Sequence, residues 1–214
     1  MTDLLVATRS AHKLAEIRRI LGGVPWVRVV DPGALGIEPS PAEDDLEPYD
    51  TFEENARSKA AYFRALSGLP TVADDSGIVV DALGGRPGVR SKRFAPDTGL
   101  EGEARDRANN EHLLELLGAR PLPERTAHYV CVAALDLGAR TELFRGEAHG
   151  LVLGRPRGWG GFGYDPLFFD EELGRTFAEL APDEKHRRSH RGRAFRALAE
   201  WIATHPEALA GSRL

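Results

Sequence analysis

The first thirty residues switch between two hydrophobic periods, and that switch sets the class of fold. Residues 4–8 form a short apolar run of the kind a buried strand makes. Ser10 can cap a helix, and Leu14, Ile17, Ile20 and Leu21 follow at helical spacing until Gly22-Gly23 stops the pattern. Residues 26–30 read as a second strand. A strand, a capped helix and another strand in immediate succession are the opening of an α/β fold.

The rest of the chain continues in the same style. Residues 31–50 are rich in Pro, Asp and Glu and read as a loop, not as a linker between separate domains. Residues 51–67 predict a helix with Thr51 as N-cap, Glu54 at the capping-box position and Gly68 at the end. Residues 71–73 and 78–83 read as two short strands on either side of Asp74-Asp75-Ser76-Gly77, a tetrapeptide of turn-forming types. Residues 103–117 predict a helix, and residues 126–137 and 142–153 two longer strands around a turn at Gly138, a hairpin in a mixed sheet. Residues 183–188 read as a short basic helix or turn, and 189–204 as the last helix. The 214 residues make one domain, 1–214, with no separable linker.

Composition excludes several classes. A formal net charge of −5 disfavours a nucleic-acid-coating protein, which needs surplus Lys and Arg to neutralise phosphate. The lone Cys131 cannot form an internal disulfide, which points to a reducing compartment, and its apolar neighbours mark it as a structural thiol. Residues 1–7 show neither a basic n-region nor a long apolar stretch, so no signal peptide is expected, and no window approaches the roughly 20 apolar residues of a membrane helix. The expected setting is the cytoplasm.

Five segments carry candidate chemistry. Thr8-Arg9-Ser10-Ala11-His12-Lys13 joins a strand to a helix N-terminus, where free N–H groups and the Lys13 charge suit a phosphate; a capped surface helix fits the same residues. Asp74 and Asp75 end a strand, so one can ligate a hard cation or take a proton from water while the other anchors the turn. Gly160-Gly161-Phe162-Gly163-Tyr164-Asp165-Pro166 suggests a backbone bent round something flat, with Phe162 or Tyr164 able to stack on a base and Asp165 able to accept from a ring N–H. Lys185, His190 and Arg191 offer donors for a phosphate or a base edge, or form part of a solvated basic face. The acidic stretch Glu43-Asp44-Asp45-Leu46-Glu47 can supply a further magnesium ligand or simply be solvated.

Taken in order, these segments resemble the inosine triphosphatase family, the pyrophosphatases for dITP, ITP and XTP. The resemblance runs from Leu4 to about Leu198 through Ala7-Thr8-x-x-x-x-Lys13, Thr51-Phe52-Glu53-Glu54-Asn55-Ala56, Ala73-Asp74-Asp75-Ser76-Gly77, Ala82-Leu83-Gly84-Gly85-x-Pro87-Gly88, Gly161-Phe162-Gly163-Tyr164-Asp165-Pro166 and Ser189-His190-Arg191-Gly192. It implies an elongated, two-lobed α/β fold with a mixed, twisted central sheet flanked by helices, a substrate cleft between the lobes, and a homodimer. It also implies roles. Thr8, Arg9, Ser10, Ala11, His12 and Lys13 look like the triphosphate-binding loop. Asp75 is similar to the proton acceptor and Mg2+ ligand, with Ser76 touching substrate. Phe162, Gly163, Tyr164 and Asp165 look like the base pocket, and Lys185, His190 and Arg191 like the group that reads and holds the base. A carboxylate from the loop before residue 51 belongs with the metal: Glu43 by slight preference, Glu47 as the alternative. The family's first loop commonly reads Thr-Gly-Asn, whereas this chain has Thr8-Arg9-Ser10, and Pro48-Tyr49 alters the acidic loop.

The implied reaction is Mg2+-dependent hydrolysis of non-canonical purine nucleoside triphosphates to the monophosphate and pyrophosphate, with no nucleic-acid or membrane partner. Two alternatives stay open on the residues: a pyrophosphatase for modified pyrimidine nucleotides, and a non-catalytic nucleotide sensor.

Overall fold

The computed structural model describes residues 1–96 and 99–210. Its chain order is β1 (Thr2–Val6), α1 (Ala11–Leu21), β2 (Val27–Val30), α2 (Phe52–Ser67), β3 (Thr71–Val80), α3 (Gly102–Leu117), β4 (Thr126–Asp136), β5 (Thr141–Val152), β6 (Phe168–Asp170), β7 (Arg175–Thr176), α4 (Pro182–Arg188), α5 (His190–Thr204) and α6 (Pro206–Ala210). The strands form one open, seven-stranded sheet in the order β2-β1-β3-β4-β5-β6-β7. It is mixed. β1 runs parallel to β2, with Leu5 opposite Val30, and parallel to β3, with Val6 opposite Val72. β6 runs antiparallel to β5 and to β7, with Phe168 opposite Val152 and Phe169 opposite Thr176.

The helix signals in the sequence correspond to the observed caps. The Ser10 hydroxyl accepts the Lys13 N–H at the start of α1, and the Thr51 hydroxyl accepts the Glu54 N–H at the start of α2, which ends on a left-handed Gly68. Three features depart from the sequence reading. β3 is a single strand through Asp74, Asp75, Ser76 and Gly77, not two strands about a turn, and Gly77 adopts no positive φ. Side-chain partners for both carboxylates allow them to sit in a buried strand. β6 and β7 are too short for a period to show in sequence, and Pro206 starts a further short helix after α5. The acidic segment expected to be plain loop contains the 3₁₀ turns Gly33–Leu35 and Pro41–Asp45, the second closed by a Ser40–Glu43 capping box. No helix among the described residues is long and apolar enough to cross a membrane.

The described residues fall into two compact units. The first comprises Met1–Asp75, Cys131–Gly146 and the segment from His190 onward. Its core sets Ile17 and Leu21 of α1 and Phe195, Leu198 and Ile202 of α5 among Val6, Val72, Cys131 and Leu135. Each such aliphatic or aromatic side chain, fully buried, contributes about 1.5–3 kcal/mol. Cys131 has no exposed surface, and burial pushes its thiol up, as a structural thiol requires. A Cβ on Gly146 of β5 would overlap the His190 carbonyl and the Ala194 N–H, so the missing side chain lets the first turn of α5 lie against the strand.

The second unit comprises Ser76–Val130 and Glu147–Ser189. Its core gathers Ile78, Val80, Leu113, Leu117 and Val152 around the aromatic rings of Tyr129, Tyr164, Phe168 and Phe177. Phe168 lies 4.6 Å from Tyr129 and 4.7 Å from Phe177, centroid to centroid.

Candidate active site

The turn from β1 into α1 is built by its own short side chains. The Thr8 hydroxyl accepts the Ser10 N–H at 3.2 Å, and the Ser10 hydroxyl accepts the Lys13 N–H at 3.3 Å. That geometry leaves Lys13 in the first helical turn, aimed back at β3. Its Nζ donates to Asp74 Oδ2 at 3.0 Å. Ala11 and His12, at the helix start, are exposed.

Asp74 is only 2% exposed, and cations surround it. Besides Lys13, Arg191 from the first turn of α5 donates to Oδ2 through Nε at 3.4 Å, while its Nη1 donates to Glu16 at 2.7 Å. Burial would raise the Asp74 carboxyl, but the charges of Lys13, Arg191 and Lys59 outweigh it and hold the group well below the usual carboxylate range. Asp74 is therefore a permanent anion that anchors two cations.

Asp75, the next residue, faces a different set of groups, as alternation along a strand requires. It is 5% exposed, and Asn55 Nδ2 donates to its Oδ2 at 3.0 Å. Burial, with the Glu47 charge adding to it, pushes Asp75 up to about 6 against the opposing pull of Lys59 and Lys13. Glu47 is ion-paired with Lys59 Nζ. Burial works against the Lys59 charge, yet Glu47, Asp74 and Asp75 keep the ammonium firmly protonated. Three carboxylates (Asp74, Asp75 and Glu47) and two lysines thus share one neighbourhood, and Asp75 titrates near 6.

Glu43, the slightly preferred metal ligand from the sequence, is paired with Arg9. Arg9 clasps it with two donors, Nε to Oε2 at 3.0 Å and Nη2 to Oε1 at 2.7 Å, and the hydrogen bond from Arg9 holds Glu43 below its ordinary value. Among the described residues no cluster of three or more His, Cys, Asp or Glu side chains is arranged to hold a metal ion. Mg2+ needs less than that, since it takes one or two carboxylates with phosphate and water.

In the second unit the glycine-aromatic segment folds round its own aspartate. Asp165 Oδ2 accepts the Phe162 N–H at 2.8 Å and Lys185 Nζ at 2.7 Å. Lys185 Nζ also sits 4.9 Å over the Phe162 ring, a cation–π arrangement that fixes both groups. Gly161 has φ 74°, and a Cβ there would overlap the Asp165 carboxylate. The Gly163 peptide is held from both sides by α3: its N–H donates to Asp106 at 2.7 Å and its carbonyl accepts from Asn110 at 2.9 Å. Tyr164 is buried, with its hydroxyl donating to the Ser91 carbonyl at 2.8 Å. Of the two rings read as stacking candidates, Phe162 is the half-exposed one.

The basic cluster of the sequence reading divides. Lys185 joins Asp165 and Phe162, whereas Arg191 joins Asp74 and Glu16. His190 is buried at the start of α5, and Ser76 is half-buried in β3. Asn55 and Lys59 were not singled out from sequence. Their signal was available: they stand four apart on α2, next to the stripe Phe52, Ala56, Ala60 and Phe63 that the helix buries, where a polar side chain needs a polar partner.

Comparison with known proteins agrees over nearly the whole chain. The Ham1 family model matches residues 4–201. The dITP/XTP pyrophosphatase of Geobacter sulfurreducens is 48% identical over 204 residues, covering 94% of this chain and 97% of that protein. The dITP/XTP pyrophosphatase of Symbiobacterium thermophilum is 46% identical over 198 residues, covering 92% and 93%. The solved structure of a HAM1 protein from Coxiella burnetii superposes with a TM-score of 0.81 at 33% identity, covering 95% of this chain and all of that one. A family match across 198 residues, near-half identity to full-length relatives and a shared fold converge on one assignment: this chain belongs to the Ham1 family.

Proposed function

We propose that the protein hydrolyses non-canonical purine nucleoside triphosphates (dITP, ITP and XTP) to the monophosphate and pyrophosphate. The observation that carries the reading is the Asp75 group: a buried carboxylate poised near 6, beside Glu47, Lys59 and the lysine of a helix-start turn. The names of the most similar relatives support the same substrates.

The chain's own residues divide the work. The Ser10–Lys13 turn and Lys13 take negative charge from the phosphates, as a helix N-terminus does. Asp75 is the carboxylate proposed to orient the attacking water and accept its proton. Asp74 keeps Lys13 and Arg191 in place. Asp75 and Glu47 are the carboxylates proposed to hold Mg2+; burial first and the Glu47 charge second lift Asp75, and a divalent cation relieves the repulsion between the two. Bound there, the ion would polarise the phosphates. Glu47 is preferred to Glu43 because Arg9 already occupies both Glu43 oxygens.

Within the second unit, Phe162 offers a stacking face for a base and Lys185, pinned by Asp165, an N–H donor. A 6-oxo purine presents an acceptor to that donor, whereas adenine presents an amine and leaves it unpaired, a loss of about 1–3 kcal/mol. Mg2+ dependence and a homodimer belong to the same reading and rest on the family resemblance; a cytoplasmic setting rests on the lone Cys131 and the absence of a leader-like or membrane-length apolar segment.

The test is a substrate panel with Mg2+ and pyrophosphate detection. ITP, dITP and XTP should release pyrophosphate, ATP should be much slower, and Asp75→Ala or Lys13→Ala should abolish turnover. Orthophosphate as the first product rules out the reaction. Equal rates on ATP and ITP rule out the base selection.

A further inference from the structure

Arg9 is spoken for. Beyond its two bonds to Glu43, its Nη1 donates to the Ile37 carbonyl at 2.8 Å, and its guanidinium lies 5.5 Å over the Phe63 ring of α2. The planar fork of arginine matches a carboxylate with two parallel bonds, so the pairing is geometrically specific. Glu43 is equally committed: Oε1 also accepts the Ser40 N–H at 3.2 Å, which closes the capping box of the Pro41–Asp45 turn.

These bonds tie together two stretches far apart in sequence. Ile37 and Glu43 lie at opposite ends of residues 37–43, so one guanidinium grips that segment twice. Arg9 itself adjoins Ser10, the cap of the phosphate turn. Further along, the Asn55 amide grips the Tyr49 backbone from the other side: Oδ1 accepts its N–H at 2.9 Å and Nδ2 donates to its carbonyl at 3.1 Å. Glu47 lies between the two clamps and pairs with Lys59.

We propose that Arg9 is a positioning residue, a latch that fastens the acidic segment to the phosphate turn through Glu43 and so delivers Glu47 to the Lys59–Asp75 group. It does not hold a substrate phosphate. The inference rests on the proposed reaction, in which Glu47 works beside Asp75. An isolated surface ion pair adds little to stability. The effect of breaking this one is therefore expected in the placement of Glu47, not in folding.

The experiment compares Arg9→Ala, Glu43→Ala and the charge swap Arg9→Glu/Glu43→Arg. Melting curves identify variants that stay folded. The readouts are kcat and KM for ITP, the Mg2+ concentration for half-maximal rate, Mn2+ binding to the nucleotide-free protein by electron paramagnetic resonance, and amide exchange across residues 37–50. Both single variants should lose about tenfold or more in kcat, with KM changed less than about threefold. Both should need more Mg2+, bind Mn2+ more weakly and exchange faster across the segment, and the swap should recover most of each loss. The proposal is overturned if Arg9→Ala raises KM while Glu43→Ala behaves as the parent, because Arg9 then serves the phosphate. It is overturned equally if neither variant alters exchange or Mn2+ binding. Should the parent release no pyrophosphate from any nucleotide, the proposed function fails, while exchange still reports on the latch.

Discussion

Asp75→Asn should make the metal-free protein more stable and inactive at once. The parent carboxyl rises from an ordinary value of 3.8 to about 6 on folding, a gap of about two pH units. At about 1.4 kcal/mol per unit, holding it ionised in the native state costs on the order of 3 kcal/mol at pH 8. The sign follows from proton binding. Between about 4 and 6 the native protein holds a proton that the unfolded chain has released, so stability falls as pH rises through that window and levels off above it. Asparagine carries no charge to bury or to repel Glu47, and its side-chain oxygen can still accept from Asn55. In EDTA at pH 8 the variant should therefore gain up to about 3 kcal/mol in urea unfolding followed by circular dichroism, or about 5–10 °C in melting temperature. Below about pH 4 the two proteins should converge, since both are then neutral at this position. Mg2+ should narrow the gap at pH 8 by stabilising only the parent. A variant no more stable than the parent at pH 8 in EDTA would refute the reasoning that this carboxylate is held ionised against its surroundings.

Three further outcomes follow from the same contacts. Asp74→Asn removes the shared anion of Lys13 and Arg191 and should lower unfolding free energy by about 3–5 kcal/mol at neutral pH, measured by urea denaturation. Lys185→Met keeps the bulk over Phe162 but removes the donor, so the preference for ITP over ATP in kcat/KM should fall by about tenfold or more while pyrophosphate remains the product. Gly161→Ala forces a side chain into a left-handed backbone and against Asp165; it should destabilise by about 1–3 kcal/mol and raise KM for ITP more than it lowers kcat.

The sequence made some of this legible because some residues advertise their role locally. Ser10, Thr51 and Gly68 are cap residues whose effect reaches three or four positions, and the helices they bound lie where the pattern put them. The glycine-aromatic segment declared a bent backbone, and Asp165 and Lys185 do meet at it. What stayed hidden depends on partners distant in the chain. Asp74-Asp75-Ser76-Gly77 has the composition of a turn and becomes a strand because Lys13, Arg191 and Asn55 arrive from three other elements to satisfy it. Lys185 and Arg191 are neighbours in sequence, yet a break at Ser189 sends them to different carboxylates. Sequence favoured Glu43 only slightly over Glu47; distant partners separate them, Arg9 pairing with Glu43 and Lys59 with Glu47.

Gly146 lends this family member an unexpected vulnerability. Its bare backbone is the surface on which the His190 carbonyl and the Ala194 N–H rest. Arg191 lies between those two residues, so the reach of its guanidinium to Asp74 is set by how near α5 can approach β5. In a mutational survey, position 146 would register as though it belonged to the reaction itself. Even alanine there would draw the Arg191 cation away from Asp74, and the lost activity would be read as chemistry when its origin is clearance.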